Sequence, residues 1–276
     1  MKWQGRRGSR YIEDRRGASG SPVGLRGAGG LGVLAVVLVG WYFGVDLTPL
    51  LDQGGQGPSV QTSGPLSEED QAMGDFEEVW QTIFTDELGR SYHPATLVLY
   101  SQVTQSPCGT ASGATGPFYC PSDKKVYLDT DFFTTLSREL GASGDFAAAY
   151  VVAHEIGHHV QDELGVLSKV NALRAKAGEA DNNALSVRTE LQADCLAGIW
   201  AFHAEEQFGT IERGDIAEAM NAAERIGDDT LQRNAGRRPM PDSFTHGTSA
   251  QRQHWFETGY ESGNIGHCDT FTAAGP

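Results

Sequence analysis

His154, Glu155 and His158 spell His-Glu-x-x-His within Tyr150-Val151-Val152-Ala153-His154-Glu155-Ile156-Gly157-His158-His159-Val160-Gln161. Only a helix makes a site of that pattern. Positions four apart lie one turn above each other on the same helical face, so the two imidazoles can hold one ion. Zinc is the ion that suits them, and Glu155 then stands beside a water whose proton it can accept and later return to a leaving amine. That chemistry is peptide hydrolysis. The flanks agree with a helix: Phe146-Ala147-Ala148-Ala149-Tyr150-Val151-Val152-Ala153 runs without Pro or Gly and is apolar enough to be buried. Gly144 and Asp145 offer a start, with Asp145 as N-cap, and Gly165 after Leu164 offers a stop. The bland alternative, a helix with incidental surface histidines, fits this apolar context poorly.

Two histidines do not complete a catalytic zinc site, which usually takes three protein ligands and leaves one position open. A third histidine six residues after the second, with a Gly midway, is excluded, because those places hold Leu164 and Gln161. The segment Leu185-Ser186-Val187-Arg188-Thr189-Glu190-Leu191-Gln192-Ala193-Asp194-Cys195-Leu196-Ala197-Gly198-Ile199-Trp200 supplies a glutamate instead. Glu190 lies 32 residues after His158, enough for a loop and a return helix. Asp194 sits one turn further on the same face, where it can bond the distal nitrogen of a ligand histidine and fix its tautomer. An ordinary solvated helix face is the plain alternative for both acids, but acids on an apolar face need partners of this kind. Asp162, Glu163, Glu179 and Asp181 are less well placed, and His159 points about 100 degrees away from His158, as a packing residue would.

Charge is split between the two ends of the chain. Residues 1–27 hold Lys2, Arg6, Arg7, Arg10, Arg15, Arg16 and Arg26 against Glu13 and Asp14, a net +5, while the rest carries −20. Residues 28–45 form an 18-residue run without charge that carries Trp41, Tyr42 and Phe43 near its C-terminal end. At about 1.5 Å per residue it reaches roughly 27 Å, just enough to cross a bilayer. Cations on its N-terminal side place the tail in the cytoplasm and everything after Asp46 outside. A cleaved signal peptide is disfavoured, since no small-x-small site follows the apolar run. The basic tail is thereby explained by topology and gives no reason to expect nucleic acid, and the acidic remainder disfavours acidic polymers.

The expected organisation is a basic tail at 1–27, a transmembrane helix at 28–45, a Gly, Gln, Ser and Pro-rich linker at 46–65 and one domain at 66–276. Ser67 can cap a helix running through Phe76, Val79, Trp80, Ile83 and Phe84, and Leu97–Tyr100 and Lys125–Asp129 look like strands. The domain is therefore α+β, mostly helical with a small sheet ahead of the active-site helix. Four cysteines suit an oxidising compartment. Cys108 and Cys120 bracket the eleven residues Gly109 to Tyr119, leaving Cys195 and Cys268 as a second pair that would tie the Glu190 helix to the C-terminus. No Cys-x-x-Cys occurs, which removes the usual cysteine-bound structural zinc.

The chain resembles the bacterial putative neutral zinc metallopeptidases, membrane-anchored zincins. The likeness rests on Gly5-Arg6-Arg7, Glu13-Asp14-Arg15-Arg16-Gly17, Gly116-Pro117-Phe118-Tyr119-Cys120-Pro121, Val126-Tyr127-Leu128-Asp129, Ala149-Tyr150-Val151-Val152-Ala153-His154-Glu155, Glu190-Leu191-Gln192-Ala193-Asp194-Cys195 and Phe244-Thr245-His246-Gly247-Thr248. It implies a zincin-like fold with His154, His158 and Glu190 as zinc ligands and Glu155 as base. It further implies that His246 approaches the active site to stabilise the transition state and that Arg252 supports the acidic residues by an ion pair. In zincins generally a strand ahead of the metal helix pairs its free edge with an extended substrate; Val126–Asp129 is the candidate for that part here, with a plain core strand as the equal alternative. The expected protein is thus a zinc endopeptidase with a peptide or protein substrate, held at the cell membrane by one N-terminal helix. A catalytically silent zincin-fold scaffold and a cell-wall peptide amidase are the rival readings. Intact Glu155 argues against the scaffold, because a pure binder needs no base beside its metal.

Overall fold

The computed structural model describes residues 1–2, 6–16, 68–112 and 116–272, with the backbone alone for 68–71 and 112. The expected membrane helix at 28–45, the linker at 46–65 and the Ser67 cap lie outside the described residues. Among the described residues no helix is long and apolar enough to cross a membrane.

The chain order is β1 (Ile12–Asp14), α1 (Glu68–Thr82), β2 (Thr96–Tyr100), β3 (Val103–Ser106), β4 (Gly109–Ser112), β5 (Phe118–Cys120), β6 (Lys125–Asp129), α2 (Thr130–Arg138), α3 (Asp145–Glu163), α4 (Val166–Arg174), α5 (Glu179–Phe208), α6 (Asp215–Arg225), α7 (Asp228–Asn234) and α8 (Ser249–Ser262). Helices dominate, as expected of this α+β domain.

Four strands form one sheet in the order β1-β2-β6-β5, with β1, β2 and β6 parallel and β5 antiparallel to β6. The register aligns Ile12 with Leu97, Leu97 with Val126, and Val126 with Tyr119. Two expectations change here. Lys125–Tyr127 are paired on both sides, by β2 and β5, and only Leu128 and Asp129 pair with β2 alone, so the strand is interior over most of its length; the edge strand on that side is β5. Residues 1–15, expected to stand apart as a tail, group with 64–276 in one compact unit, because β1 completes the opposite edge of the sheet.

Apolar faces at helical spacing build the core. Phe76, Val79, Trp80, Ile83 and Phe84 of α1 and the turn that follows it are all buried, and each such side chain contributes about 1.5–3 kcal/mol by leaving water. Trp200 of α5 stacks on Phe146 of α3 with ring centroids 6.0 Å apart and tilts against Phe76 of α1 at 4.2 Å, so one indole joins three helices. Helix α3 ends as expected, with Leu164 as C-cap and Gly165 left-handed at φ 75°. Its start is shifted by one: Gly144 is the N-cap and Asp145 the first helical residue, where a carboxylate still meets the positive end of the helix dipole. The connection expected to be a loop before the Glu190 helix holds α4, and Glu179 and Asp181 already belong to the first turn of α5.

Both expected disulfides are present. Cys108–Cys120 joins the β3–β4 hairpin to β5, with Cα atoms 5.8 Å apart. Cys195–Cys268, at 5.6 Å, ties α5 to the C-terminal segment, which Arg188 also holds by donating to the carbonyls of Thr270 and Phe271.

Candidate metal centre

Helices α3 and α5 cross at Gly157, the residue just before His158. A Cβ there would lie 2.9 Å from the Ala193 carbonyl oxygen and 3.1 Å from its Cα, so only glycine allows this approach. The crossing carries Glu190 onto the histidine face. His154 Nε2 lies 3.1 Å from Glu190 Oε2 and His158 Nε2 lies 3.5 Å from Oε1. One ligand atom from each of the three residues falls within 4.8 Å of the others. Two imidazole nitrogens and a carboxylate in a half-buried cup are a donor set suited to zinc.

Each histidine is aimed by the bond on its other nitrogen. His154 Nδ1 is 2.8 Å from Asp194 Oδ1 and His158 Nδ1 is 2.9 Å from Gln161 Oε1. Both acceptors require a proton on Nδ1, which leaves both Nε2 lone pairs for an ion. Asp194 is fully buried and receives Arg252 twice, Nε to Oδ2 at 2.8 Å and NH2 to Oδ1 at 2.9 Å, while the Tyr150 hydroxyl donates to Oδ1 at 2.6 Å. Gln161 is equally buried but neutral. Its amide nitrogen donates to the Thr189 carbonyl at 2.8 Å and to Gln192 Oε1 at 3.0 Å, which fixes the orientation of its oxygen toward His158.

The field at the centre favours positive charge. Burial would lower the proton affinity of His154, but the Asp194 carboxylate and then Glu190 push its pKa up to about 10. His158 is likewise raised: burial opposes, and Glu190 outweighs it. Burial would lift the Glu190 carboxyl, yet His158 and His154 drive it well below the usual range, and Arg252 and His154 hold Asp194 at about 2. A divalent cation satisfies the same field without protons. Glu155 is buried beside the ligands, its carboxylate among the groups that raise His158.

His246 reaches the same neighbourhood from the loop before α8. A Cβ on Gly247 would meet Leu191 Cδ2 at 3.1 Å and Val187 Cγ1 at 3.4 Å, so this loop rests on α5 around Glu190. Asp228 builds the loop: its Oδ2 accepts the backbone N–H of Thr245 at 2.7 Å, of His246 at 2.7 Å and of Gly247 at 3.1 Å, and its Oδ1 lies 3.2 Å from His246 Nδ1. The Asp228 bond raises the His246 pKa above its ordinary value against burial, and the Glu190 charge adds to the rise. Helix α8 opens with a capping box between Thr248 and Gln251, which sets Arg252 in its first turn, facing Asp194.

The expected site residues therefore converge: His154, His158 and Glu190 at the centre, Asp194 and Arg252 behind His154, and His246 near Glu190. His159 lies elsewhere, buried and bonded to the His93 carbonyl and the Tyr119 hydroxyl. The sequence reading missed Tyr150, Gln161 and Asp228. Tyr150 precedes His154 by four and Gln161 follows His158 by three, so helical spacing was an available signal for both. Asp228 carried no such signal, being 18 residues from His246.

A family profile described as "Putative neutral zinc metallopeptidase" matches residues 1–271. The uncharacterized protein YpfJ of Escherichia coli (strain K12) is 48% identical, with 98% of this chain and 99% of that protein covered. The uncharacterized proteins Mb2605 of Mycobacterium bovis and Rv2575 of Mycobacterium tuberculosis (strain ATCC 25618 / H37Rv) are each 48% identical over 64% of this chain and 62% of their own. No solved structure matches.

Proposed function

The chain belongs to the putative neutral zinc metallopeptidase family, and from that premise we propose that it is a zinc-dependent endopeptidase acting on peptide or protein substrates. The observation that carries this reading is the convergence of His154, His158 and Glu190 within 4.8 Å, with both histidines bonded at Nδ1 so that both Nε2 atoms face the same point. Those three residues would hold the ion. A zinc ion there supplies Lewis acidity, polarising a carbonyl and acidifying water.

The chain's own groups do the rest. Glu155 takes the proton of the attacking water and delivers it to the leaving amine, which a buried carboxylate next to the ligands can do in both directions. His246, held by Asp228 with its proton affinity raised, donates to the oxygen that becomes negative in the tetrahedral intermediate. Arg252 and Asp194 keep His154 fixed while charge moves. Two disulfides support an oxidising compartment for the domain.

The test uses the full chain. Glu155→Gln keeps size and hydrogen bonding but cannot accept a proton, so casein cleavage should fall by on the order of 100-fold or more while elemental analysis still finds zinc. Equal cleavage by Glu155→Gln, or cleavage that survives a chelator, overturns the mechanism. A zinc-loaded wild type that cleaves no peptide library favours the scaffold.

A further inference from the structure

Arg6, Arg7 and Arg15 near the N-terminus are ion-paired in the folded chain. Helix α1 presents the buried acids Asp75 and Glu77 and the half-exposed Glu78 to the segment 6–9. Arg6 Nε donates to Asp75 Oδ1 at 2.6 Å and its NH2 to Glu78 at 3.2 Å, while its guanidinium lies 3.6 Å over the ring of Phe208 at the end of α5. Arg7 bonds Glu78 at 2.7 Å and Glu77 at 2.9 Å, and the Ser9 hydroxyl donates to Glu77. Asp75 is fully sealed, and burial lifts its carboxyl to about 6 even with Arg6 opposing. A buried carboxylate deprived of its cation is strongly destabilising, so α1 carries a sequence written for this cover.

Two further features are independent of charge. Gly74, in the interior of α1, is costly in a helix unless close approach demands it; a Cβ there would run into the backbone carbonyl of Arg7. Beyond this crossing, β1 pairs in parallel with β2 from Ile12–Leu97 to Asp14–Leu99, and Arg15 extends the ladder by donating its N–H to the Leu99 carbonyl at 2.7 Å. Glu13, bonded by Arg15 and by Lys125 of β6, ties the new edge across the sheet.

We infer that residues 6–15 are an edge strand and charge clasp of the metallopeptidase domain, and that they lie on the same side of any bilayer as the metal centre. A chain that leaves one side of a membrane and returns to it crosses an even number of times. Between Arg16 and Ser63 the sequence offers one uncharged run long enough to cross, residues 28–45. A single crossing there and a seated strand exclude each other. Of the cations that read as a topology signal, Arg6 and Arg7 bond Asp75, Glu77 and Glu78, and Arg15 bonds Glu13. This inference does not depend on peptidase activity.

The test takes the full chain with an epitope after Ala18, another after Pro276, a protease site after Ser59, and the pair Ser9→Cys with Glu77→Cys. After diamide treatment of permeabilised cells and cleavage at the inserted site, the N-terminal fragment should stay attached until a reductant releases it. In cells whose membranes are opened stepwise, both epitopes should become accessible at the same step. Epitopes exposed on opposite faces, or a fragment that separates without reductant, overturn the inference.

Discussion

The two histidines of the centre are held by different physics. Behind His154 stands a sealed ionic group of Asp194, Arg252 and Tyr150; behind His158 stands a chain of neutral amides, Gln161 to Gln192 and the Thr189 carbonyl. Both fix Nδ1–H and aim Nε2. They differ in what happens when one member is removed. An amide network loses hydrogen bonds worth about 1 kcal/mol each, whereas an ionic network leaves a buried charge under-compensated. Rigidity at His154 is thus gained at the risk of collapse, and at His158 it is gained more cheaply.

The largest effect should follow from Arg252→Met, which keeps apolar bulk but leaves the buried Asp194 carboxylate without its guanidinium, held only by the Tyr150 hydroxyl and His154 Nδ1. Chemical denaturation of the full chain should show a loss of about 3–5 kcal/mol. A loss below about 1 kcal/mol would mean that water already reaches Asp194, and the contrast between the two sides would fail.

Next comes Asp194→Asn, which preserves shape but offers His154 Nδ1 a weaker acceptor. Zinc affinity measured by competition with a chelator should fall by roughly 10- to 100-fold. The matching change on the other side, Gln161→Met, removes one neutral acceptor, for which about 1 kcal/mol or roughly fivefold in the same titration is expected. Equal losses from the two variants would erase the distinction.

How much of this was legible in the sequence depends on how far apart the partners lie along the chain. His154, Glu155 and His158 were legible because one helix sets their geometry, and Glu190 and Asp194 because a second helix repeats the i, i+4 spacing. Tyr150 and Gln161 share the ligands' own helix, and the Gln161 bond to His158 is local, but the partner of Tyr150 is Asp194 on α5, 44 residues away. No local rule announces that pairing. The strand Ile12–Asp14 was hidden for a stronger reason: three residues, two of them acidic, have no strand pattern, and their partner begins at Leu97. The arginines around it satisfied a membrane-topology reading equally well, and only the buried acids of α1 distinguish the two. For the same reason Val126–Asp129 read equally well as an edge or as a core strand, since the three-residue β5 that covers Lys125–Tyr127 is too short to signal.

The smallest expected effect belongs to the rim of the site, where Asp228 and His246 pair with His246 half exposed. Solvent screening reduces such a pair to well under about 1 kcal/mol, so the prediction concerns its pH dependence. The Asp228 bond raises the His246 pKa above 6.5, and stability from that shift is fully present below 6.5 and is lost as pH rises through the folded value. Burial would raise Asp228, but His246 and the backbone donors hold it below 3.8, so its contribution is present above 3.8 and is lost as pH falls through the folded value. The pair therefore stabilises most between those limits. The melting temperature of the wild type should exceed that of Asp228→Asn by the widest margin near about pH 5 to 6, with the margin narrowing toward about pH 9. The backbone N–H bonds to Oδ2 depend on the carboxylate alone, so part of the margin should persist in alkali. A margin that does not change with pH would assign Asp228 to loop building only, and the raised proton affinity of His246 would then owe more to Glu190 than to its surface partner.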